Sequence, residues 1–304
     1  MKPIRSRRHF LGLGLLSAAG ICLTPGLRAV EPFARGGKPR LRLSLAAYSF
    51  RDFFQPGKDG TPARMDMVKF IDYCADHGCD GAEVTSYYFP DKVTDAYLLQ
   101  VRRQAHVRGM TLSGTAVGND FCHPEGPRRE AEMASVADWV RKAALMGAPH
   151  IRVFAGVAHG QTQKEAKKLC IAALEAAAEV AGRAGVFLGI ENHGGIVAEA
   201  AELIDIVRSV NSPWVGINLD TGNFNTDDPY ADLARCAPYA VNVQYKGMVR
   251  RRGQKQAEPA DEARTFKILR DANYQGWVAL EYELPEDPWI KVPQMLDRMR
   301  TYMG

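Results

Sequence analysis

Three short apolar runs in this chain each end in an acid. Val186–Ile190 stops at Glu191-Asn192-His193-Gly194-Gly195, Val215–Leu219 stops at Asp220-Thr221-Gly222-Asn223, and Trp277–Leu280 stops at Glu281-Tyr282-Glu283. Each has the form of a buried parallel strand that delivers polar groups at its C-terminal end. Burying a carboxylate there costs several kcal/mol unless a metal, a cation or hydrogen bonds neutralise it. One such strand is equally well explained by Glu191 capping a helix or pairing with a basic residue. Three of them argue for a common site, where converging carboxylates would repel one another unless a divalent cation with oxygen ligands sits among them.

The rest of the sequence supplies elements able to bring these ends together. Eight apolar runs alternate with helical patterns: Leu41–Tyr48, Gly81–Thr85, Met110–Gly114, His150–Phe154, Val186–Ile190, Val215–Leu219, Ala240–Tyr245 and Trp277–Tyr282. They recur at about 33 residues, the length of a strand-plus-helix unit. Thr61-Pro62 reads as the opening of the first helix and Gly78 as its end, with Gly109, Gly147 and Gly185 closing the next three. This alternation predicts an α/β fold, a single (β/α)8 TIM barrel over residues 41–304. No Gly-x-Gly-x-x-Gly turn and no Walker motif occurs, so neither a dinucleotide fold nor a P-loop is supported.

In such a barrel the C-terminal strand ends share one mouth. Reading those ends places Glu83, Arg152, Glu191, His193, Asp220, Asn223, Gln244, Lys246 and Glu281 there. Glu191, Asp220, Gln244 and Glu281 form a set of four oxygen donors, which favours Mn²⁺, with Mg²⁺ or Co²⁺ next, over a structural zinc. Glu83, Arg152, His193, Asn223 and Lys246 are the expected substrate or ligand-shell groups. Tyr48 and Phe50, with Phe121 and Trp289, are candidates for an apolar wall under a sugar ring. Cys122-His123 is a poor metal pair by itself. The stretch 247–259, with Arg250, Arg251, Arg252 and Lys255, reads as a structureless insertion on the catalytic face, either solvated or gripping an anionic or polyhydroxy substrate.

Residues 1–29 read as an address. Ser6-Arg7-Arg8-His9-Phe10-Leu11 is a twin-arginine motif, followed by an apolar run too short to span a membrane comfortably and a cleavage site after Ala29 or Ala34, with a non-cleaved anchor as the alternative and 30–40 as a linker. Export to the periplasm or another extracytoplasmic compartment is therefore expected, with no stable membrane insertion after cleavage. The leader carries five basic residues and no acids, so 34 Lys and Arg remain beside 35 Asp and Glu, a formal net charge of about −1. That balance removes the composition argument for a nucleic-acid partner. Cys74, Cys79, Cys122, Cys170 and Cys236 are scattered and odd in number, which argues against structural disulfides and a cysteine zinc site.

Glu191-Asn192-His193, Leu219-Asp220-Thr221-Gly222-Asn223 and Leu280-Glu281-Tyr282-Glu283 resemble, in order and spacing, the xylose isomerase-like barrel superfamily, in its sugar phosphate isomerase/epimerase group. Gly114–Phe121 and Ile151–Gly156 add to the resemblance, which spans essentially the whole chain after the leader. It implies a divalent metal held by acids on the fifth, sixth and eighth strands and usually a histidine on the seventh. These positions are Glu191, Asp220, Glu281 and, in place of the histidine, Gln244. The implied chemistry is proton transfer through an enediolate, with Glu191 and Glu281 exchanging the proton on opposite faces of a sugar. The same first step serves a lyase acting on 3-keto-glycosides, and loss of the metal would leave a carbohydrate-binding barrel without activity. Export favours an unphosphorylated carbohydrate. Endonuclease IV-type relatives need many histidines for three zincs, whereas this chain has seven in all and Asn223 where one would be expected. Barrels of this group often assemble, which leaves a homo-oligomer open.

Overall fold

The computed structural model describes residues 30–58 and 60–303. The twin-arginine motif and the cleavage site lie outside the described residues. Eight parallel strands close into a barrel: β1 (Arg40–Ala46), β2 (Gly81–Thr85), β3 (Thr111–Ala116), β4 (His150–Val153), β5 (Phe187–Glu191), β6 (Val215–Asp220), β7 (Ala240–Tyr245) and β10 (Gln275–Leu280), with β10 pairing back to β1. The helices around them are α1 (Met67–Asp76), α2 (Asp95–Val107), α3 (Pro127–Met146), α4 (Gln163–Ala184), α5 (Ala200–Ser209), α6 (Pro229–Cys236), α7 (Glu262–Asp271) and α8 (Pro288–Met303). The expected fold is the observed one, with strand boundaries shifted by up to two residues.

The helix starts follow local chemistry. The first helix begins at Met67, five residues after the expected Thr61-Pro62 opening, because the Asp66 carboxylate accepts from the Lys69 amide and so satisfies an unpaired donor of the first turn. Thr61 instead gives its carbonyl to Gly57 N–H in a tight turn. Thr162 and Glu165 form a reciprocal capping box on α4, and Gly147 and Gly185 end α3 and α4 in the left-handed conformation that glycine tolerates.

Period-2 alternation along the strands sends apolar residues such as Leu45, Val84, Ile151, Ile190, Leu219, Val243 and Leu280 outward under the helices, all fully buried. The inward positions are unusually polar for a barrel interior, which branched aliphatic residues normally fill. Ser44, Glu83, Ser113, Asn218 and Asn242 are wholly buried, and His150 and Gln244 nearly so. Hydrogen bonds that cross the lumen place them inside: Ser44 with Ser113 at 2.7 Å, His150 Nε2 with Asn218 Oδ1 at 3.3 Å.

Two connecting segments differ from expectation. Residues 30–40 are held against the strand N-terminal ends: Phe33 N–H bonds the Pro238 carbonyl, and the Arg35 guanidinium reaches the Ala240 carbonyl while lying over the Phe33 and Tyr274 rings. The 247–259 segment is a hairpin, with β8 (Met248–Val249) antiparallel to β9 (Glu258–Pro259). Its basic side chains are largely engaged, Arg251 with Glu258 at 3.3 Å and Arg252 with Glu199 and Asp227. That answers their charge within the protein and leaves Arg250, bonded to Asn225 Oδ1, beside the mouth. Among the described residues no helix is long and apolar enough to cross a membrane.

Candidate active site

Glu191 is the last residue of β5, Asp220 the last of β6, and Glu281 follows β10 directly. Side-chain clips fix where each strand stops. Asn192 accepts from Asp220 N–H and donates to its carbonyl, both at 2.9 Å, tying β5 to β6. Ser49 bonds the Leu280 carbonyl and the Tyr282 amide, and Glu281 N–H bonds the Tyr245 carbonyl, so the exit of β10 is held on both sides.

The mouth holds the acids Glu83, Glu191, Asp220, Glu281 and Glu283 with two cations. Arg152 Nε lies 2.9 Å from Glu191 Oε2, an ion pair whose angle falls short of a hydrogen bond. The Arg152 guanidinium is itself held by the Val117 carbonyl at 2.9 Å and the Tyr87 hydroxyl at 3.2 Å, and it covers the Phe154 ring. Asn223 Nδ2 donates to Glu191 Oε1 at 2.8 Å. Lys246 Nζ donates to Glu283 at 2.7 Å and stands 3.3 Å from Asp220 Oδ2.

Burial pushes all four inner acids up. Glu83 rises to about 7 and Asp220 to about 6, the first moderated by its amide donors and the second by Lys246. Glu281 is driven well above the carboxylate range by burial and by the neighbouring acids, against Lys246. Glu191 is raised by burial, with Arg152 and then Lys246 opposing. For Lys246, burial favours the neutral amine, but Asp220, Glu281 and Glu283 together outweigh it and keep the ammonium charged.

Gln244, the register partner of Asp220, belongs to a closed ring of hydrogen bonds beneath the mouth. It donates to Glu83 Oε1 at 2.7 Å and accepts from Asn218 at 2.6 Å; Asn242 then donates to both Asn218 Oδ1 and Glu83 Oε2 at 2.8 Å. The amide oxygen that would serve a metal is thus already an acceptor in this ring. Replacing Gln244 with Leu would leave Glu83 Oε1 and Asn218 Nδ2 buried without partners. The expected loss is about 2–4 kcal/mol of unfolding free energy in urea titrations; a change below about 1 kcal/mol would show that the ring does not matter to stability.

The other expected site residues divide clearly. His193 is a rim residue exposed at its edge with its ring on Phe154, centroids 4.5 Å apart; partial desolvation of that ring, then the charges of Arg152 and Lys246, lower its pKa. Tyr48 is half-buried and close enough to Glu283 and Glu281 that they add to burial in raising its hydroxyl pKa. Phe50 is a correction: it is fully buried, edge-on to Tyr73 and Trp289 at 4.7 and 4.9 Å, because the turn of 3-10 helix after β1 rotates it into the core between barrel and α8. Cys122 and His123 diverge, the buried thiol donating to the Ala155 carbonyl and the imidazole stacking on His159. Tyr87, Glu283 and the ring asparagines were not anticipated. Asn218 and Asn242 were legible, since each lies two residues before a mouth residue and therefore on the same strand face. Tyr87 was not, because it reaches Arg152 from the loop after β2.

A divalent ion suits part of this arrangement. Asp220 Oδ2 and Glu281 Oε2 are buried with no hydrogen-bond partner, and five acids outnumber two cations. The three expected acid ligands are not drawn into a tight cluster. Among the described residues, the set whose ligand atoms all lie within 4.8 Å of one another is Asp120, His123 and His159.

This architecture is that of a known class. The chain belongs to the xylose isomerase-like TIM barrel family, whose profile matches residues 71–299. Solved structures of similar fold include a D-psicose 3-epimerase determined with D-fructose, 19% identical with a TM-score of 0.68, covering 86% of this chain and 96% of its own. A 3-keto-D-glucoside 4-epimerase from E. coli is 17% identical, TM-score 0.68, over 86% of this chain and all of that one (100%). The IolI protein, solved with a zinc atom, is 14% identical, TM-score 0.65, over 86% and 96%. A search of curated protein sequences found no match.

Proposed function

We propose that this protein is a divalent-metal-assisted epimerase or isomerase of an unphosphorylated keto-sugar, exported through its twin-arginine leader. The observation that carries the reading is the asymmetry between Glu191 and Glu281. They stand three strand positions apart round the eight-strand ring, on opposing sides of the mouth, and both are buried. Glu191 has a guanidinium and an amide donor on its two oxygens, which favour the carboxylate; Glu281 keeps an orphaned oxygen among acids, which favours the protonated form. Environments that split two carboxyl groups in this way assign a base and an acid.

Glu191 removes the proton on the carbon beside the substrate carbonyl, and the C–H electron pair moves to the carbonyl oxygen as an enediolate. Glu281 returns a proton from the other face, inverting the centre. Arg152, itself held by Tyr87, and Asn223 hold Glu191 in place, and Lys246 brings positive charge to the substrate oxygens. A divalent ion, Mn²⁺ by the chemistry of the oxygen donors, would be held by Asp220 and Glu281 with Glu191, and would stabilise the negative charge that develops on those oxygens. The excess of acids disfavours a phosphate group, in keeping with an exported protein acting on neutral sugars. The low-identity epimerase folds support the same class of substrate.

A second reading shares the first step. A cavity of about 280 Å³ extends from Lys246 and Glu283 past Asn223 and Asn225 to Arg250 on the hairpin, room for a group attached to the sugar. Elimination of that group from a 3-keto-glycoside would make the protein a lyase. Incubating ketohexoses and 3-keto-glucosides with the Mn²⁺-loaded protein in D₂O separates the readings: a deuterated epimer or isomer supports the first, a released aglycone the second. No deuterium in any sugar would leave a binding barrel.

A further inference from the structure

We propose that Asp120, His123 and His159 form a second metal site, separate from the barrel acids and selective for a borderline transition ion of the Zn²⁺, Co²⁺ or Ni²⁺ kind. Each residue offers one ligand atom, and the three atoms lie within 4.8 Å of one another. His159 Nε2 is 2.9 Å from Asp120 Oδ2, and the His123 ring stacks on that of His159, centroids 4.1 Å apart and planes 19° apart. A set of two imidazoles and one carboxylate suits such ions, in contrast to the all-oxygen acids of the mouth.

The set is built rather than incidental. Asp120 is gripped by the amides of Cys122 at 2.8 Å and Val157 at 3.2 Å, and Gly156, at φ +104°, makes room for it: a Cβ there would fall 1.9 Å from Asp120 Oδ1. His159 sits at φ +47°, a conformation costly for a residue with a side chain, which persists only where its surroundings impose it. Arg129 pins the carbonyl of His123 at 3.2 Å, and Gln161 that of Cys122 at 3.2 Å. Two loops, one after β3 and one after β4, therefore present three ligand groups from fixed backbone.

Three protein ligands leave a fourth position for water or a small ligand. The ion would join the two loops behind Phe154, whose backbone exchanges hydrogen bonds with Asn119 and whose ring supports His193. Its role is to hold that side of the rim.

The test is Co²⁺ titration of chelator-treated protein, read by visible absorption and by ions bound per chain. A Glu191→Gln, Glu281→Gln variant with native circular dichroism should still bind one Co²⁺ with an intense tetrahedral-type band, displaced by Zn²⁺. Adding His123→Ala or His159→Gln should weaken that binding at least about 100-fold. In the chain with its barrel acids intact, His123→Ala alone should remove the band, which keeps the test independent of how the double variant folds. Absence of the band in the wild-type chain, or a band unchanged by His123→Ala, would overturn the proposal. Neither result touches the barrel acids, whose failure would appear as lost deuterium exchange.

Discussion

Glu191→Gln should stop solvent deuterium from entering the substrate, whereas Glu281→Gln should still exchange the proton beside the carbonyl while forming little product. The difference follows from the roles the two environments impose. An amide at 191 cannot accept the proton, so neither exchange nor turnover proceeds, and the rate should fall about 10²–10⁴-fold, the usual worth of a positioned acid or base. An amide at 281 leaves Arg152, Tyr87, Asn223 and Glu191 in place, so the enediolate forms and is reprotonated on the face it came from. Time-resolved NMR in D₂O reads both quantities at once. Equal loss of exchange in the two variants would contradict the assignment of Glu191 as base. Circular dichroism, melting curves and bound Mn²⁺ must match wild type for the comparison to count, since Glu281 is also one of the groups that would hold the ion.

The second large effect is on stability. The metal-free protein should lose unfolding free energy as pH rises above about 6.5, and saturating Mn²⁺ should reduce that loss. A carboxyl whose folded pKa is raised holds its proton more tightly in the folded chain than in the unfolded one, so its contribution is present at low pH and disappears as pH passes the folded value. Glu83, at about 7, and Glu281, raised further, both act in this direction. Below pH 6.5 the loss is partly offset. Asp220, at about 6, has the same sign, but His150, lowered by burial to about 4, binds fewer protons when folded and favours stability as pH rises from 4 to 6.5. Above that window His150 is neutral in both states. Glu83, half-protonated near pH 7 in the folded chain, then loses about 1 kcal/mol between pH 6.5 and 8, and Glu281 adds to that loss. Urea titrations across that range, with and without Mn²⁺, supply the check. Stability that rises from pH 6.5 to 8 without metal, or an equal slope with it, would refute the linkage.

Much of this was legible in the linear chain because its signals are local. Alternation of apolar runs and helical stretches at barrel spacing predicts the fold, since a parallel strand and its crossover helix need that length of chain. An acid at the end of such a run must lie at the mouth whatever the details of packing, which is why Glu191, Asp220 and Glu281 could be named from the sequence. Other features depended on which side chains meet across the lumen. Gln244 reads as a weakened metal ligand in sequence, but its amide closes a ring with Glu83, Asn218 and Asn242 from strands far apart in the chain. Phe50 lies at the end of a strand-like run, yet a turn of 3-10 helix directs it into the core. The separation of Glu191 from Glu281 in acidity likewise needed Arg152 on one and an orphaned oxygen on the other. Periodicity and strand ends are properties of neighbouring residues, so the sequence alone determined the barrel and the identity of its acids. Hydrogen-bond partners and protonation depend on desolvation and on charges brought together from distant strands, so only the tertiary structure decided which acid is paired with a cation and which keeps an orphaned oxygen.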